Sequence, residues 1–382
     1  MSDLFGRRDG AAALFGVLCC CLSLTAPAAF AQPEPSPLRT FGYFQNSFQQ
    51  QWDYQHDRET NTFLAQQLNL FLQKDLGERW TALVDFEVVN NFSSTRRWGS
   101  FNLEEAWIRY RASRQFNLKV GLHIPPFNNL NEIKNRTPLL PYIIRPFVYE
   151  TSLGEAIDTE TYLPARAFGQ IYGFFPVDGL KIDYALYLGN SPNINDQRER
   201  GQTGADTSNT FLVGGRLGLR VGELKAGVSA ARDYVNPIGP IPYDALPGEP
   251  EQYQDIARTR LGADLSYTHR RLYLETEIIR VDAGRSDIGL DMDLYFWYGT
   301  LGYFVTDRLL VYGSYWTNWE WHTVLGERLR ARVNIPTGGA SYMLNDMMTL
   351  KAQYAYVDID AHGRSLFPAE FGHFSTAVSV VF

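Results

Sequence analysis

Beyond residue 21 the sequence has no cysteine: its three cysteines are Cys19, Cys20 and Cys21. From there on the chain can form no disulfide, no thiolate metal site and no thiol nucleophile. It also lacks, after residue 31, any run of the ~20 apolar residues that a spanning helix needs. Basic excess is missing too. Lys and Arg number 35 against 42 Asp and Glu, for a net charge of −7. With no basic stripe, the electrostatic footprint of a nucleic-acid binder is absent. What the chain has in abundance is aromatic residues: 24 Phe, 22 Tyr and 8 Trp. Its mean hydropathy is nevertheless below zero. High aromatic content without a long apolar run suits a membrane β-barrel, in which lipid-facing residues alternate with residues facing water.

The N-terminal segment reads as a cleaved secretory leader covering residues 1–31. Arg7 and Arg8 form its basic start, Ala11 to Leu24 its apolar stretch, and Ala29-Phe30-Ala31 a small-x-small cleavage site. Each cysteine is preceded by Leu18 or by another cysteine, so the lipid-anchor pattern is not met. Residues 32–382 are expected to form one barrel domain. The last strand ends at Phe382, with Val380, Val378, Thr376 and Phe374 on one face and mostly small residues between. Together with a leader, such an ending matches the signal read by the outer-membrane barrel assembly machinery.

Sixteen strand candidates follow one another, with fourteen or eighteen as alternatives. The cleanest sets Phe116, Leu118, Val120, Leu122 and Ile124 against Asn117, Lys119, Gly121 and His123. Another sets Phe211, Val213, Leu217 and Leu219 against Gly214, Arg216, Gly218 and Arg220. The connections decide whether this is a soluble sandwich or a membrane barrel. Short turns (75–79, 112–115, 176–179, 222–223, 269–270, 306–307, 345–346) alternate without a break with long polar stretches (51–61, 91–100, 128–166, 189–209, 236–257, 282–291, 320–328, 360–369). Sorting loops by length is the habit of outer-membrane barrels, with both chain ends on the periplasmic side. Trp80, Tyr110 and Tyr267 near turns, and Trp316, Trp319 and Trp321 near loops, read as the two interfacial girdles. The fold class is therefore all-β: a transmembrane antiparallel β-barrel in the outer membrane of a Gram-negative bacterium, in contact with lipid and lipopolysaccharide.

The longest connection, 128–166, combines four prolines with an apolar run from Leu139 to Tyr149. Left in water it would be a sticky patch. We expect it to fold into the barrel mouth, bringing Arg136, Arg145, Glu150, Glu155, Asp158 and Arg166 to a constriction; packing on top of the barrel or on a neighbouring subunit is the alternative. Other lumen candidates are the basic Arg109, Arg111, Lys119, Lys181, Arg216, Arg220, Arg260 and Lys351 and the acidic Asp85, Glu87, Glu105, Asp183, Asp264, Glu275 and Glu277. His123 is read as pore-lining. Rings of one sign set ion preference, and the basic residues on the cleaner strands point to an anion-leaning wall. The alternative is that the two signs pair off and merely solvate the lumen.

Residues Asn102 to Arg111, the segment FNLKVGLHIPPF at 116–127, Arg145-Pro146, Pro164, Gly169 and Asp183 to Asn190 resemble the phosphate-selective porin O and P type family over roughly half of the chain. The resemblance implies a 16-stranded, trimeric channel with an inward-folded third loop. That family's dense set of pore Arg and Lys cannot be carried over residue by residue, and the acidic lumen residues stand against phosphate selectivity. The expected function is passive diffusion of small hydrophilic solutes or ions, without cofactor or metal. Competing readings are a ligand-specific channel for sugars or carboxylates, a rim enzyme and a closed structural barrel. For the enzyme, none of the six histidines stands in a nucleophile motif.

Overall fold

The computed structural model describes residues 37–91, 100–149, 159–191, 210–235, 256–285, 289–324, 327–362 and 369–382. The leader, and Glu150, Glu155 and Asp158 of the long connection, lie outside them. The compact unit is Leu38–Phe382. Its first eight strands are β1 (Arg39–Asp53), β2 (Arg58–Asp75), β3 (Trp80–Asn91), β4 (Ser100–Arg111), β5 (Asn117–His123), β6 (Ala167–Val177), β7 (Leu180–Asn190) and β8 (Phe211–Val221). The second eight are β9 (Leu224–Val235), β10 (Ile256–His269), β11 (Leu272–Arg285), β12 (Leu290–Thr306), β13 (Leu309–Val324), β14 (Glu327–Met343), β15 (Met348–His362) and β16 (Ala369–Val381). Each pairs with its sequence neighbours, and the sheet closes on itself as a sixteen-stranded barrel. Closure runs antiparallel between β1 and β16, from Tyr43 opposite Val381 to Asp53 opposite Phe371. Phe382 exchanges backbone hydrogen bonds with Gly42 at the seam. No edge strand is left open, as a bilayer requires.

The side chains invert the pattern of a soluble protein. On β8, Val213 and Leu217 are 59% and 53% exposed, whereas Gln45, Asn69, Glu277 and Ser375 are buried. At these positions the outward side chains are apolar and the inward ones polar, which is the partition expected when lipid is outside.

The short turns fall where the sequence put them. Several long connections are shorter than expected, because polar stretches assigned to loops are ladder, whereas the one between β5 and β6 starts earlier, at residue 124. β1 and β2 leave only residues 54–57 between them, and β13 continues through Glu320 to Val324. A strand that climbs past the lipid has water outside as well as inside, so it keeps its hydrogen bonds but loses the apolar face that period-two reading relies on. Trp316, expected in the outer girdle, points inward instead. It is fully buried, and its Nε1 donates to Ser314 Oγ at 2.6 Å.

Candidate functional site

Among the described residues, the connection between β5 and β6 contains three one-turn 3₁₀ segments, Asn131–Ile133, Thr137–Leu139 and Phe147–Tyr149, and one helical turn, α1 (Thr159–Tyr162). So irregular a backbone needs partners for its N–H and C=O groups, and inward side chains of the wall supply many of them. Glu277 of β11 accepts from the backbone N–H of Asn129 (3.0 Å) and of Leu130 (2.8 Å), and from the Tyr149 hydroxyl. Asn128 N donates to Ser229 of β9 at 2.9 Å. On the other side of the barrel, Gln353 of β15 accepts from Ile143 N and Ile144 N and donates to Ile144 O. Tyr43 of β1 and Gln67 of β2 donate to Asn135 O. Glu104 of β4 accepts from Asn135 Nδ2 and from Arg166, each at 2.7 Å.

The apolar run is buried as well, except for Leu139 at its start. Phe127, Leu130, Tyr142, Ile143, Phe147, Val148 and Tyr162 share one cluster with Ile279, Val281, Leu294, Phe296, Tyr298 and Trp316 of β11 to β13. Phe147 meets Phe296 edge-on at 5.0 Å, and Tyr142 meets Tyr312 edge-on at 5.4 Å. Burial holds the Tyr142, Tyr149 and Tyr162 hydroxyls well above the usual tyrosine range, with Glu275, Glu277 and Glu320 respectively reinforcing the effect. They stay protonated and donate to these carboxylates.

Against β4 to β9 the interior is open. A cavity of about 730 Å³ is bounded by Pro126, Asn129 and Glu132 of the long connection and reaches the turn residues Ser113 and Arg114. Its wall carries Arg109, Arg111, Arg114, Lys119, Lys181, Arg216, Arg220 and Lys225, against the two carboxylates of Glu132 and Asp183. Three like-charged pairs stand directly opposite one another on neighbouring strands: Arg109 with Lys119, Lys181 with Arg220, and Arg220 with Lys225. Such pairs are unfavourable in the empty sheet.

How each charge is satisfied separates the two signs. Asp85 accepts from Asn69, Glu87 from Gln67, Glu105 from Trp107, and Glu275 from Tyr142 and Tyr298. Arg216 Nη2 lies 2.7 Å from Asp264 and its Nη1 3.3 Å from Asp183, so this cation is compensated. Arg258 and Arg260 share Asp233. By contrast, among the described residues no carboxylate forms an ion pair with Arg109, Lys119, Lys181 or Arg220. Arg109, Lys119 and Lys181 rest on rings instead. Lys181 Nζ is 4.1 Å from the Phe174 ring centre, and Lys119 Nζ is 5.1 Å from that of Trp107. Ring faces attract a cation without neutralising it.

The residues picked out from the sequence thus divide. Arg109, Lys119, Lys181, Arg216 and Arg220 come together around the cavity. Arg145 and Arg166 hold the long connection, through Lys134 O and Glu104. Arg136 sits half-buried between two 3₁₀ turns. His123 is buried, with its Nδ1 2.8 Å from Gly121 O. Arg114 and Lys225 were missed. Lys225 was legible in principle: a two-residue turn at 222–223 forces it opposite Arg220.

The sequence matches the Gram-negative porin family over residues 16–362. The chain belongs to that family. It is accordingly a passive channel of the outer membrane, and this porin shares its fold with solved outer-membrane proteins of low sequence identity. OmpT of Vibrio cholerae superposes with a TM-score of 0.57 at 11% identity, covering 93% of this chain and 100% of that one. The outer membrane channel DcaP of Acinetobacter baumannii gives 0.59 at 10% identity, over 93% and 100%. The anion-selective porin from Comamonas acidovorans gives 0.56 at 14% identity, over 91% and 99%. No curated protein matches the porin's sequence.

Proposed function

We propose that this porin conducts small anions in preference to cations, through the cavity on the β4–β9 side, with the 124–166 connection forming the narrowest part of the path. The observation that carries the reading is the set of uncompensated cations, Arg109, Lys119, Lys181 and Arg220, facing one open space. The wall carboxylates Asp85, Glu87, Glu105, Asp183, Asp264, Glu275 and Glu277 are hydrogen-bonded or paired, which leaves Glu132 of the connection as the acidic group facing these cations without such a partner among the described residues. A passing anion relieves the repulsion between facing cations, whereas a cation adds to it. The place of the connection is supported by its hydrogen bonds to strands on both sides of a closed barrel, β1 and β15 on one side and β9 and β11 on the other.

Trimeric assembly goes with this reading. OmpT of V. cholerae is recorded in a trimer form, and the porin fold is shared. So do removal of residues 1–31, recognition of Phe382 by the assembly machinery, and contact with lipopolysaccharide. Which anion is preferred is left to measurement, with phosphate as one candidate because residues 102–127 resemble the phosphate-selective O and P type. The test is single-channel current in chloride with phosphate, a dicarboxylate or a neutral sugar added. Block by the anions and none by the sugar supports the proposal. Block by the sugar alone replaces it with a sugar channel, and equal indifference to all three removes the binding wall.

A further inference from the structure

We infer that Lys351 is the positioning residue that locks the long connection in place, by wrapping loop carbonyls around a buried ammonium. The inference rests on the reading of that connection as the constriction. Lys351 lies on β15 and is 4% exposed. Its Nζ donates to Thr137 O at 2.9 Å, Tyr142 O at 3.2 Å, Pro138 O at 3.3 Å and Gln45 Oε1 at 3.0 Å. Among the described residues no carboxylate pairs with it. A buried charge without a counter-ion is strongly unfavourable unless hydrogen bonds replace its water. Three of the four acceptors come from the connection itself, so moving that segment away would strand the ammonium.

The acceptors also explain the local backbone. The 3₁₀ turn at Thr137–Leu139 and the extended residue Leu140 after it bring carbonyls up to five positions apart in sequence to one point. Beside it, Gln353 takes the N–H groups of Ile143 and Ile144. Ser379 donates to Gln45 Oε1 at 2.7 Å, which orients the fourth acceptor. An ordinary lumen lysine would face water and leave the loop indifferent to its removal.

The test compares the wild-type barrel in planar bilayers with Lys351→Met and with a variant lacking residues 137–144. A third sample is Lys351→Cys alkylated with bromoethylamine before refolding, which restores an ammonium at nearly the same reach. The chain has no other cysteine beyond Cys21, so in a chain started at residue 32 alkylation marks that site alone. Lys351→Met should lose the steady open level, flickering at raised mean conductance, and the alkylated protein should regain it. Folding is read independently from the gel shift on heating. A folded Lys351→Met as quiet as wild type, while the deletion raises conductance, overturns the lock and leaves the constriction standing. No change in either variant overturns both. If Lys351→Met fails to fold and only the alkylated protein does, Lys351 is a folding residue and the inference is wrong.

Discussion

Lys181 of β7 stands directly across from Arg220 of β8, and both line the same open cavity. A facing pair of like charges costs the sheet on the order of 0.2–1 kcal/mol, and Arg220 has a second such partner in Lys225. Neutralising one member should therefore leave the barrel as stable or slightly more stable, and weaken its hold on anions. We expect Lys181→Gln and Arg220→Gln each to move the reversal potential in a salt gradient toward zero, with the double variant moving it further. A fall in unfolding temperature together with an unmoved potential would show that the pair is structural.

Arg216 and Arg220 lie four residues apart on one face of β8, yet their removal should have opposite consequences. Arg216 lies between Asp264 and Asp183, and the Asp264 side chain is 1% exposed. Arg216→Met strands that carboxylate, and breaking a buried pair from one side costs roughly 3–5 kcal/mol. Arg220 has no such partner, so Arg220→Met should stay within about 0.5 kcal/mol of wild type. Denaturant midpoints of the refolded barrels decide this; equal midpoints would refute the distinction between compensated and free cations.

Glu277 gathers two backbone N–H groups and the Tyr149 hydroxyl. Glu277→Ala leaves these donors without an acceptor, at about 1–3 kcal/mol for each one that stays buried. The measurable outcome is proteolysis within 124–166 of the folded barrel, which should become faster in the variant. Tyr149→Phe, which removes one donor together with its need, should be much milder.

Gly121, two residues before the end of β5, has φ +120. A Cβ there would stand 2.3 Å from Ala106 O, and neither that backbone oxygen nor the φ can give way cheaply. Gly121→Ala should lower the yield of heat-modifiable barrel. Gly338→Ala, where a Cβ would meet nothing within 4 Å, should not.

Much of the fold could be read from residues alone, because a membrane barrel writes its period on the chain. Val213, Leu217 and Leu219 had to face lipid, so Arg216 and Arg220 had to face in. The seven turns were visible as breaks in that period. Strand ends above the lipid were not visible, since Glu320 to Val324 pair in the ladder without an apolar face. Trp316 was misplaced for a related reason. Part of the lumen face of β11 to β13 is apolar, because the run from Leu140 to Tyr149 packs on it, and no local pattern distinguishes one apolar face from the other. Lumen charges were identified by parity, but their pairing was not, because Arg216 meets Asp264 across β8, β9 and β10. Only closure of the sheet shows which cations remain free.

The most direct test of the central claim is the reversal potential of the purified wild-type porin in a planar bilayer between concentrated and dilute potassium chloride. Stable current steps and a potential of the sign set by chloride permeation are expected. A potential of the sign set by potassium, from the same stable steps, would contradict that claim and leave the facing cations of β4 to β9 without their proposed role.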